Sequence, residues 1–395
     1  MSSPAVELAG IFRQHGPAYR DAHDPPWHQR RLMQAIETCR TPALGGSVEW
    51  CPRCQYEHIV YRSCRNRHCP KCQGLARARW LHSRQGELLP VEYFHVVFTL
   101  PEPIATLAFH NRAAVYGMLF AAASQTLLAI ARDPKHLGAE IGFFAVLHTW
   151  GQNLHLHPHL HCVVPGGGVS PGGQWVACRP GFFLPVRVLS RLFRRLMLEA
   201  LDQAYRTGQL KLLGELEPLR EAAAWARYLA PLREAEWVVY AKPPFGGPQQ
   251  VLEYLGRYTH RVAISNERLL ALEAGQVTFG WKDYRHQGKR KTMTLAAEEF
   301  IRRFLQHALP TGLQRIRYYG LLANAHRRAK LELCRQLLAA PCADLLPRPG
   351  DNRDFYQALT GRDPRLCPRC HAGLLECIRV LRPCPAPAPV VLDSS

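Results

Sequence analysis

Two cysteine pairs, Cys51-Pro-Arg-Cys54 and Cys69-Pro-Lys-Cys72, stand fourteen residues apart and constrain this chain more than any other feature. Two C-x-x-C knuckles at that spacing form the pattern of a tetrahedral structural zinc site, each placing two thiolates about 2.3 Å from one Zn²⁺. The segment around them is poor in apolar residues, so a bound metal supplies folding free energy that a small core cannot. Cys64, His58 and His68 lie inside the same cluster and could either replace one of the four ligands or serve a second ion with Cys39. A further pair, Cys367-Pro-Arg-Cys370, followed by Cys377 and Cys384, suits a second, smaller zinc site within residues 341–384.

Five of the 14 cysteines fall between Cys51 and Cys72, a distribution that fits metal ligands better than a secreted disulfide scaffold. The 395 residues include 50 Lys and Arg against 31 Asp and Glu, a formal charge of +19 that points to a polyanionic partner. At 47% hydrophobic residues the chain has enough apolar material for two or three domains, which excludes wholesale disorder. From Tyr61 to Gly86 there are seven basic residues and no acidic one; Arg62, Arg65, Arg67, Lys71, Arg77 and Arg79 are the expected phosphate contacts. No basic head followed by an apolar block opens the sequence. The uncharged stretch Ala113 to Ala131 is long enough to span a bilayer. Its many alanines, the adjacent Ser124 and Gln125, and Gly117 instead predict a buried core helix, and no membrane partner is expected.

The hydrophobic pattern predicts an α+β architecture. Strand-like runs occur at Glu92–Leu100, Ile141–Trp150, His159–Pro165 and Glu236–Pro243, the second and third separated by a short polar connection that implies antiparallel pairing. Helices are expected over Pro185–Tyr205 and from Pro248, and glycine turns at Gly166–Gly168. Beyond Gln276 come short strands at Val277–Trp281, Thr292–Leu295 and Arg315–Tyr319, with helices at Ala296–His307 and Leu322–Ala339. The tail 385–395 has too little to bury and is expected to be disordered.

Four histidines alternate in Asn153-Leu-His155-Leu-His157-Pro-His159-Leu-His161. In an extended chain alternate side chains share a face, about 7 Å apart, so neighbouring imidazoles can close on one ion. His159 and His161 lead into the apolar run Cys162-Val-Val and are the pair expected to be held rigidly. His155 and His157 precede Pro158, expected to break the ladder. A site with only two imidazoles keeps positions open for a phosphate oxygen. The zinc-hydrolase signatures H-x-H-x-D-H and H-E-x-x-H are absent, so a nucleophile from the protein is worth seeking. Glu253-Tyr-Leu-Gly-Arg-Tyr-Thr-His-Arg261 offers one: Tyr254 and Tyr258 stand at i and i+4 on an expected helix. A metal-polarised phosphate, with Arg257 and Arg261 adding positive field, makes attack by a phenol feasible.

Taken together these segments resemble a known family: the rolling-circle insertion-sequence transposases of the IS-ninety-one type, within the HUH endonuclease superfamily. Ser63-Cys-Arg-Asn-Arg-His-Cys-Pro-Lys-Cys-Gln73 is similar to the family's zinc-binding domain, His157-Pro-His-Leu-His-Cys-Val-Val-Pro-Gly-Gly-Gly168 to its His-hydrophobic-His element, and Tyr254-Leu-Gly-Arg-Tyr-Thr-His-Arg-Val-Ala-Ile-Ser-Asn266 to its catalytic segment. The resemblance implies that His159 and His161 hold Mg²⁺ or Mn²⁺, with a third ligand not fixed by any motif; His157 is the first choice, and His155, Gln152 and Asn153 are others. It implies that Tyr254 and Tyr258 join in turn to 5′ phosphate ends of single-stranded element DNA and pass the strand to a target. It also implies an antiparallel sheet with the histidines on a central strand and the tyrosine helix packed against it.

The expected organisation is a zinc-binding, DNA-recognising domain over 1–88, a catalytic HUH-type domain over 89–270, and a basic C-terminal part over 271–340. The small cysteine segment 341–384 and the tail follow. The expected location is the prokaryotic cytoplasm, at the nucleoid. Two other functions share parts of this pattern: a plasmid replication initiator or relaxase using the same chemistry, and a zinc-finger DNA-binding protein without catalysis. Oligomeric state is not legible in the sequence.

Overall fold

The computed structural model describes residues 6–242, 250–251, 256, 259–283, 286, 288–340 and 351–384. In chain order the helices and strands begin with α1 (Leu8–His23), α2 (Trp27–Glu37), β1 (Gly46–Trp50), β2 (Glu57–Tyr61) and α3 (Gln73–Gln85). They continue with β3 (Tyr93–Thr99), α4 (Glu102–His110), α5 (Arg112–Arg132), β4 (Gly142–Trp150) and β5 (Leu156–Pro165). Next come β6 (Gly167–Val169), β7 (Trp175–Ala177), α6 (Val186–Arg206), α7 (Ala222–Glu234) and β8 (Val239–Lys242). The last are β9 (Leu269–Glu273), β10 (Gln276–Asp283), β11 (Lys289–Ala296), α8 (Ala297–Leu305), β12 (Ile316–Gly320), α9 (Arg327–Leu337), α10 (Asn352–Thr360) and β13 (Glu376–Leu381).

These elements form two compact units, and neither follows the expected run of consecutive domains. One comprises Met1–Trp80, Ile264–Ala308 and Leu346–Ser395; the other comprises Leu81–Ala263 and Leu309–Leu345. The strands expected as part of a continuous basic C-terminal region are thus divided: β9 to β11 belong to the first unit and β12 to the second.

The second unit is built on a five-stranded antiparallel sheet ordered β12-β4-β5-β3-β8, with the histidine strand β5 at its centre. Side chains of a pleated strand alternate between faces, and the two faces differ here. Leu160, Cys162 and Val164 of β5, with Phe94, Val96 and Phe98 of β3 and Phe143, Ala145 and Leu147 of β4, join α4, α5 and α6 in one apolar core. Phe98 meets Phe193 of α6 edge to face, with ring centroids 4.9 Å apart. The alternate residues, His159 and His161 among them, occupy the opposite face, away from that helical layer.

Helix α5 is the one described helix long and apolar enough to cross a membrane. Val115, Tyr116, Leu119, Phe120, Ala122, Ala123, Leu127 and Ala131 lie buried in the sheet core, the role expected of it. Gly166–Gly168, expected as a turn, continues instead into β6, which pairs with β7. A Cβ at Gly168 would strike the Glu140 carbonyl and one at Gly167 the Trp175 ring, so close backbone approach is what these glycines permit.

In the first unit α1 packs on α2 and on α8, with Phe12 and Phe304 edge to face at 5.4 Å. The helix α1 runs through Pro17 to His23. A three-stranded sheet β11-β10-β9 adds Phe279, which meets Phe300 of α8 at 5.9 Å. A second three-stranded sheet, β13-β1-β2, joins a strand from residues 376–381 to a hairpin from residues 46–61.

Candidate active site

Strand β5 carries His159 and His161, and β4 runs antiparallel beside it with His148 directly opposite His159. Cross-strand partners share a face, so His148, His159 and His161 converge, with one nitrogen from each ring within 4.8 Å of the others. Ring centroids are 4.4 Å apart for His148 and His161, 4.8 Å for His159 and His161, and 5.5 Å for His148 and His159. His148 and His161 are buried. His148 was missed by the sequence reading; the signal available was a histidine within the otherwise apolar run Ile141–Trp150.

His157, the expected third ligand, is exposed and outside this trio, and His155 is exposed as well. The reason lies in Pro158. It does not end the strand, since β5 begins at Leu156. The register against β4 shifts between His148 and Trp150 instead, placing Trp150 opposite Leu156. A residue without an N–H favours such a local irregularity, and the residues before it lose the regular ladder that aligns His159 and His161.

Each ring of the histidine strand has a partner that orients it. His159 Nδ1 donates to the His157 carbonyl at 2.6 Å, leaving Nε2 as the bare nitrogen. His161 Nδ1 lies 2.8 Å from Nε2 of His95, a buried residue of β3. Burial, and then the positive fields of neighbouring histidines and Arg261, keeps the His161 pKa well below its ordinary 6.5. The His159 pKa falls to about 4, mainly through burial and then through His157. His95 falls to about 3, through burial and then Lys242. Neutral imidazoles with oriented rings are the donor set that a transition or related divalent ion requires. The residues present therefore fit a divalent cation, with His148, His159 and His161 as its protein ligands.

Tyr254, Arg257 and Tyr258 lie outside the described residues. The chain that follows them is described. Arg315, buried at the start of the β12 edge, donates from its guanidinium to the Thr259 carbonyl at 2.7 Å and the Arg261 carbonyl at 3.2 Å. Its own carbonyl accepts from the Leu147 N–H at 2.8 Å. Arg315 thus ties the end of the tyrosine segment to the sheet that carries the histidines, and the Arg261 charge reaches both His159 and His161.

The cysteines expected to share one ion are divided between two groups. Cys69 and Cys72 gather with Cys39 and Cys64, while Cys51 and Cys54 gather with Cys367 and Cys370. In the first group the Sγ separations are 3.6 Å for Cys39 and Cys72, 3.6 Å for Cys64 and Cys72, and 3.7 Å for Cys39 and Cys69. Four sulfurs about 2.3 Å from a tetrahedral zinc stand about 3.8 Å apart, so the group has the dimensions of a Zn²⁺ site. Of the three alternates within the cluster, Cys64 is a member and His58 and His68 are not. Mutual thiol contacts hold the Cys39 and Cys72 thiols below their ordinary range and push those of Cys64 and Cys69 above it.

Among the expected phosphate contacts, Arg62, Arg65, Arg77 and Arg79 are exposed. Lys71 is paired with Glu7 at 2.6 Å, Arg79 lies over the Phe355 ring at 6.0 Å, and Arg67 is held below its ordinary pKa by burial.

Comparison with known proteins places these features in a common context. A family model described as "Putative transposase" matches residues 142–330, which include the three histidines, the tyrosine segment and Arg315. A second, described as "Transposase zinc-binding domain", matches residues 11–100, which include Cys39, Cys64, Cys69 and Cys72. The chain is 60% identical over 384 residues to "Putative transposase y4qJ" of Sinorhizobium fredii (strain NBRC 101917 / NGR234), covering 96% of each chain. It is 28% identical over 346 residues to "Transposase for insertion sequence element IS801" of Pseudomonas savastanoi pv. phaseolicola, covering 85% of this chain and 80% of that protein. No solved structure matches it.

Proposed function

The chain belongs to the insertion-sequence transposases of the IS-ninety-one type, and on that premise we propose that it nicks single-stranded DNA at element ends and transfers the strand. The observation that carries this reading is the convergence of the histidine trio on a sheet to which Arg315 ties Thr259 and Arg261, the residues that follow the two tyrosines in sequence. A protein that only binds DNA has no use for three imidazoles facing one point, two of them, His159 and His161, held well below their ordinary pKa.

His148, His159 and His161 would hold a divalent ion, Mg²⁺ or Mn²⁺, which would supply Lewis-acid stabilisation to the charge on a phosphate oxygen. The protein does the rest. The His157 carbonyl and His95 fix the ring planes of His159 and His161, so those two nitrogens are positioned before DNA arrives. The phenol oxygen of Tyr254 or Tyr258 attacks phosphorus as it loses its proton, and the bond to the 3′ oxygen breaks. The products are a 5′-phosphotyrosine ester and a free 3′ hydroxyl, with the phosphate bond energy retained for rejoining. The second tyrosine repeats the step at the other strand position. Arg257 and Arg261 supply positive charge against the phosphate. The zinc-binding unit contacts the DNA backbone through its exposed arginines. The setting is the cytoplasm of a prokaryote, at the nucleoid.

The test is to incubate the protein with single-stranded DNA from the element ends and Mg²⁺ or Mn²⁺. A covalent protein–DNA adduct resistant to denaturation is expected from the wild type. It should be absent from the Tyr254→Phe, Tyr258→Phe double variant and from His159→Ala, both retaining DNA binding. An adduct that survives in the tyrosine double variant excludes the phosphotyrosine route, and DNA binding without any cleavage favours a non-catalytic DNA-binding protein.

A further inference from the structure

We infer that Cys51, Cys54, Cys367 and Cys370 bind a second structural Zn²⁺, which clasps the C-terminal segment of the chain to its N-terminal module. The match to a zinc-binding domain ends at residue 100 and cannot include the second pair of these cysteines. The site is independent of the nicking chemistry and stands whether or not that reading holds.

The geometry is that of a metal site. Cys51 Sγ is 3.8 Å from Cys370 Sγ, and Cys54 Sγ is 3.6 Å from Cys367 Sγ. These are the edges of a tetrahedron of thiolates around zinc, whose sulfurs stand about 3.8 Å apart, and are far beyond the roughly 2.05 Å of a disulfide. Cys51 and Cys367 are fully buried, with Cys54, Cys370, Tyr56 and Leu375 packed around them. Four thiols packed together in this way, with no apolar core of their own, lack a reason to be gathered unless an ion holds them.

The backbone supplies an independent observation. The two contributing loops have the same sequence, Cys-Pro-Arg-Cys, and the same local geometry. In the first, the Cys51 N–H donates to the Tyr56 carbonyl and the Gln55 N–H to the Cys51 carbonyl, with Gln55 at φ 60°. In the second, the Cys367 N–H donates to the Gly373 carbonyl and the His371 N–H to the Cys367 carbonyl, with His371 at φ 53°. Each loop therefore folds back on itself and passes through a left-handed residue immediately after its second cysteine. The Gly373 N–H also points at Cys370 Sγ, 3.3 Å away, an interaction that stabilises a thiolate. A side chain at Gly373 has no room, because its Cβ would collide with Cys51 Sγ. Two matching knuckles that face each other across 313 residues of sequence, between Cys54 and Cys367, make one site from the two ends of the chain. Pairing of β13 with β1 brings those ends together, with Gly46 opposite Leu381 and Trp50 opposite Glu376.

The remaining cysteines of the C-terminal segment are not part of it. Cys377 and Cys384 are exposed, and neither joins a metal-ligand group among the described residues.

The experiment uses the full-length chain. Metal content of the purified protein is measured by elemental analysis, for the wild type, Cys367→Ser with Cys370→Ser, and Cys377→Ser with Cys384→Ser. The proposal expects two zinc ions per wild-type chain, one in the first variant and two in the second. A single ion in the wild type, or two retained in the Cys367→Ser, Cys370→Ser variant, overturns it. Should that variant lose both ions through general unfolding, thiol alkylation of the wild type decides. Cys51, Cys54, Cys367 and Cys370 should be protected together and become reactive in one step as a chelator is titrated in. Alkylation of Cys367 and Cys370 while Cys51 and Cys54 stay protected refutes the shared ion.

Discussion

His95 Nε2 and His161 Nδ1 approach to 2.8 Å from neighbouring strands, their rings nearly parallel at 10° with centroids 5.0 Å apart. For His161 to present Nε2 to a cation, its Nδ1 must carry the hydrogen and donate it to His95. His95 is therefore a positioning residue. Outer partners of this kind typically contribute 10–100-fold in metal affinity. His95→Phe should weaken Mn²⁺ binding by about that factor, with adduct formation restored at high Mn²⁺, whereas His95→Gln, which keeps an acceptor, should lose less. Equal Mn²⁺ affinity in wild type and His95→Phe, measured by calorimetry, would count against the role.

The exchange of His157 for His148 as third ligand separates two otherwise similar substitutions. His148→Ala removes a buried ring of the trio and should abolish metal-dependent cleavage. His157→Ala removes an exposed ring but keeps the backbone carbonyl that orients His159, so it should retain cleavage to within a few-fold. The two nicking rates at saturating Mg²⁺ decide the matter, and loss of activity in both would return His157 to the ligand set.

The pKa values of the same histidines set a pH dependence. Protonation is easier in the unfolded chain, near the ordinary 6.5, than in the fold, where His159 sits at about 4 and His95 at about 3. The folded state therefore has its full advantage above pH 6.5 and loses it as pH falls through 6.5 towards 4. Thermal melts should show little change between pH 7 and 8 and a falling Tm below about 6.5. His159 is already neutral at pH 6, so its titration should change Mn²⁺ affinity by less than about twofold between pH 6 and 7.5. A tenfold loss over that range would contradict the depressed values.

Arg315 offers a test of the link between the sheet and the tyrosine segment. Arg315→Met removes charge-assisted bonds to two carbonyls, each worth about 1.5–3 kcal/mol in a buried setting. It should lower stability by about 2–4 kcal/mol. At a temperature where the variant is still folded, adduct formation should fall more than DNA affinity does. Parallel denaturant melts, binding and nicking assays would resolve the three effects, and unchanged nicking would show that the tie does not matter for chemistry.

The exposed arginines of the zinc-binding unit should act as phosphate contacts. Replacing Arg62, Arg65 or Arg77 singly with Ala should weaken DNA binding similarly for all sequences and reduce the salt slope by about one per residue. Lys71→Ala should do less, because Lys71 already faces Glu7. Binding curves at several salt concentrations provide the measurement.

Local patterns reached the sequence, and long-range partners did not. The alternation of His159 and His161 on a strand, the antiparallel pairing with Ile141–Trp150 and the buried role of Ala113–Ala131 follow from periodicity, which side-chain burial enforces directly. His148 did not follow, because cross-strand register decides which residue of β4 stands opposite His159, and nothing in either strand alone encodes it. Spacing within a knuckle is local, so each C-x-x-C was legible. Which knuckles meet depends on β13 returning to β1, and adjacency in sequence made Cys51 with Cys69 look like the natural pairing.

The union of Cys51 and Cys54 with Cys367 and Cys370 also bears on synthesis. During translation the first two thiols emerge more than three hundred residues before their partners, so the N-terminal module cannot complete itself while the ribosome is still working. A prematurely terminated product would carry an open thiol pair and an unpaired β1 edge. Only a chain read through Cys370 can lock, and a shorter product is thereby denied a finished zinc-binding unit.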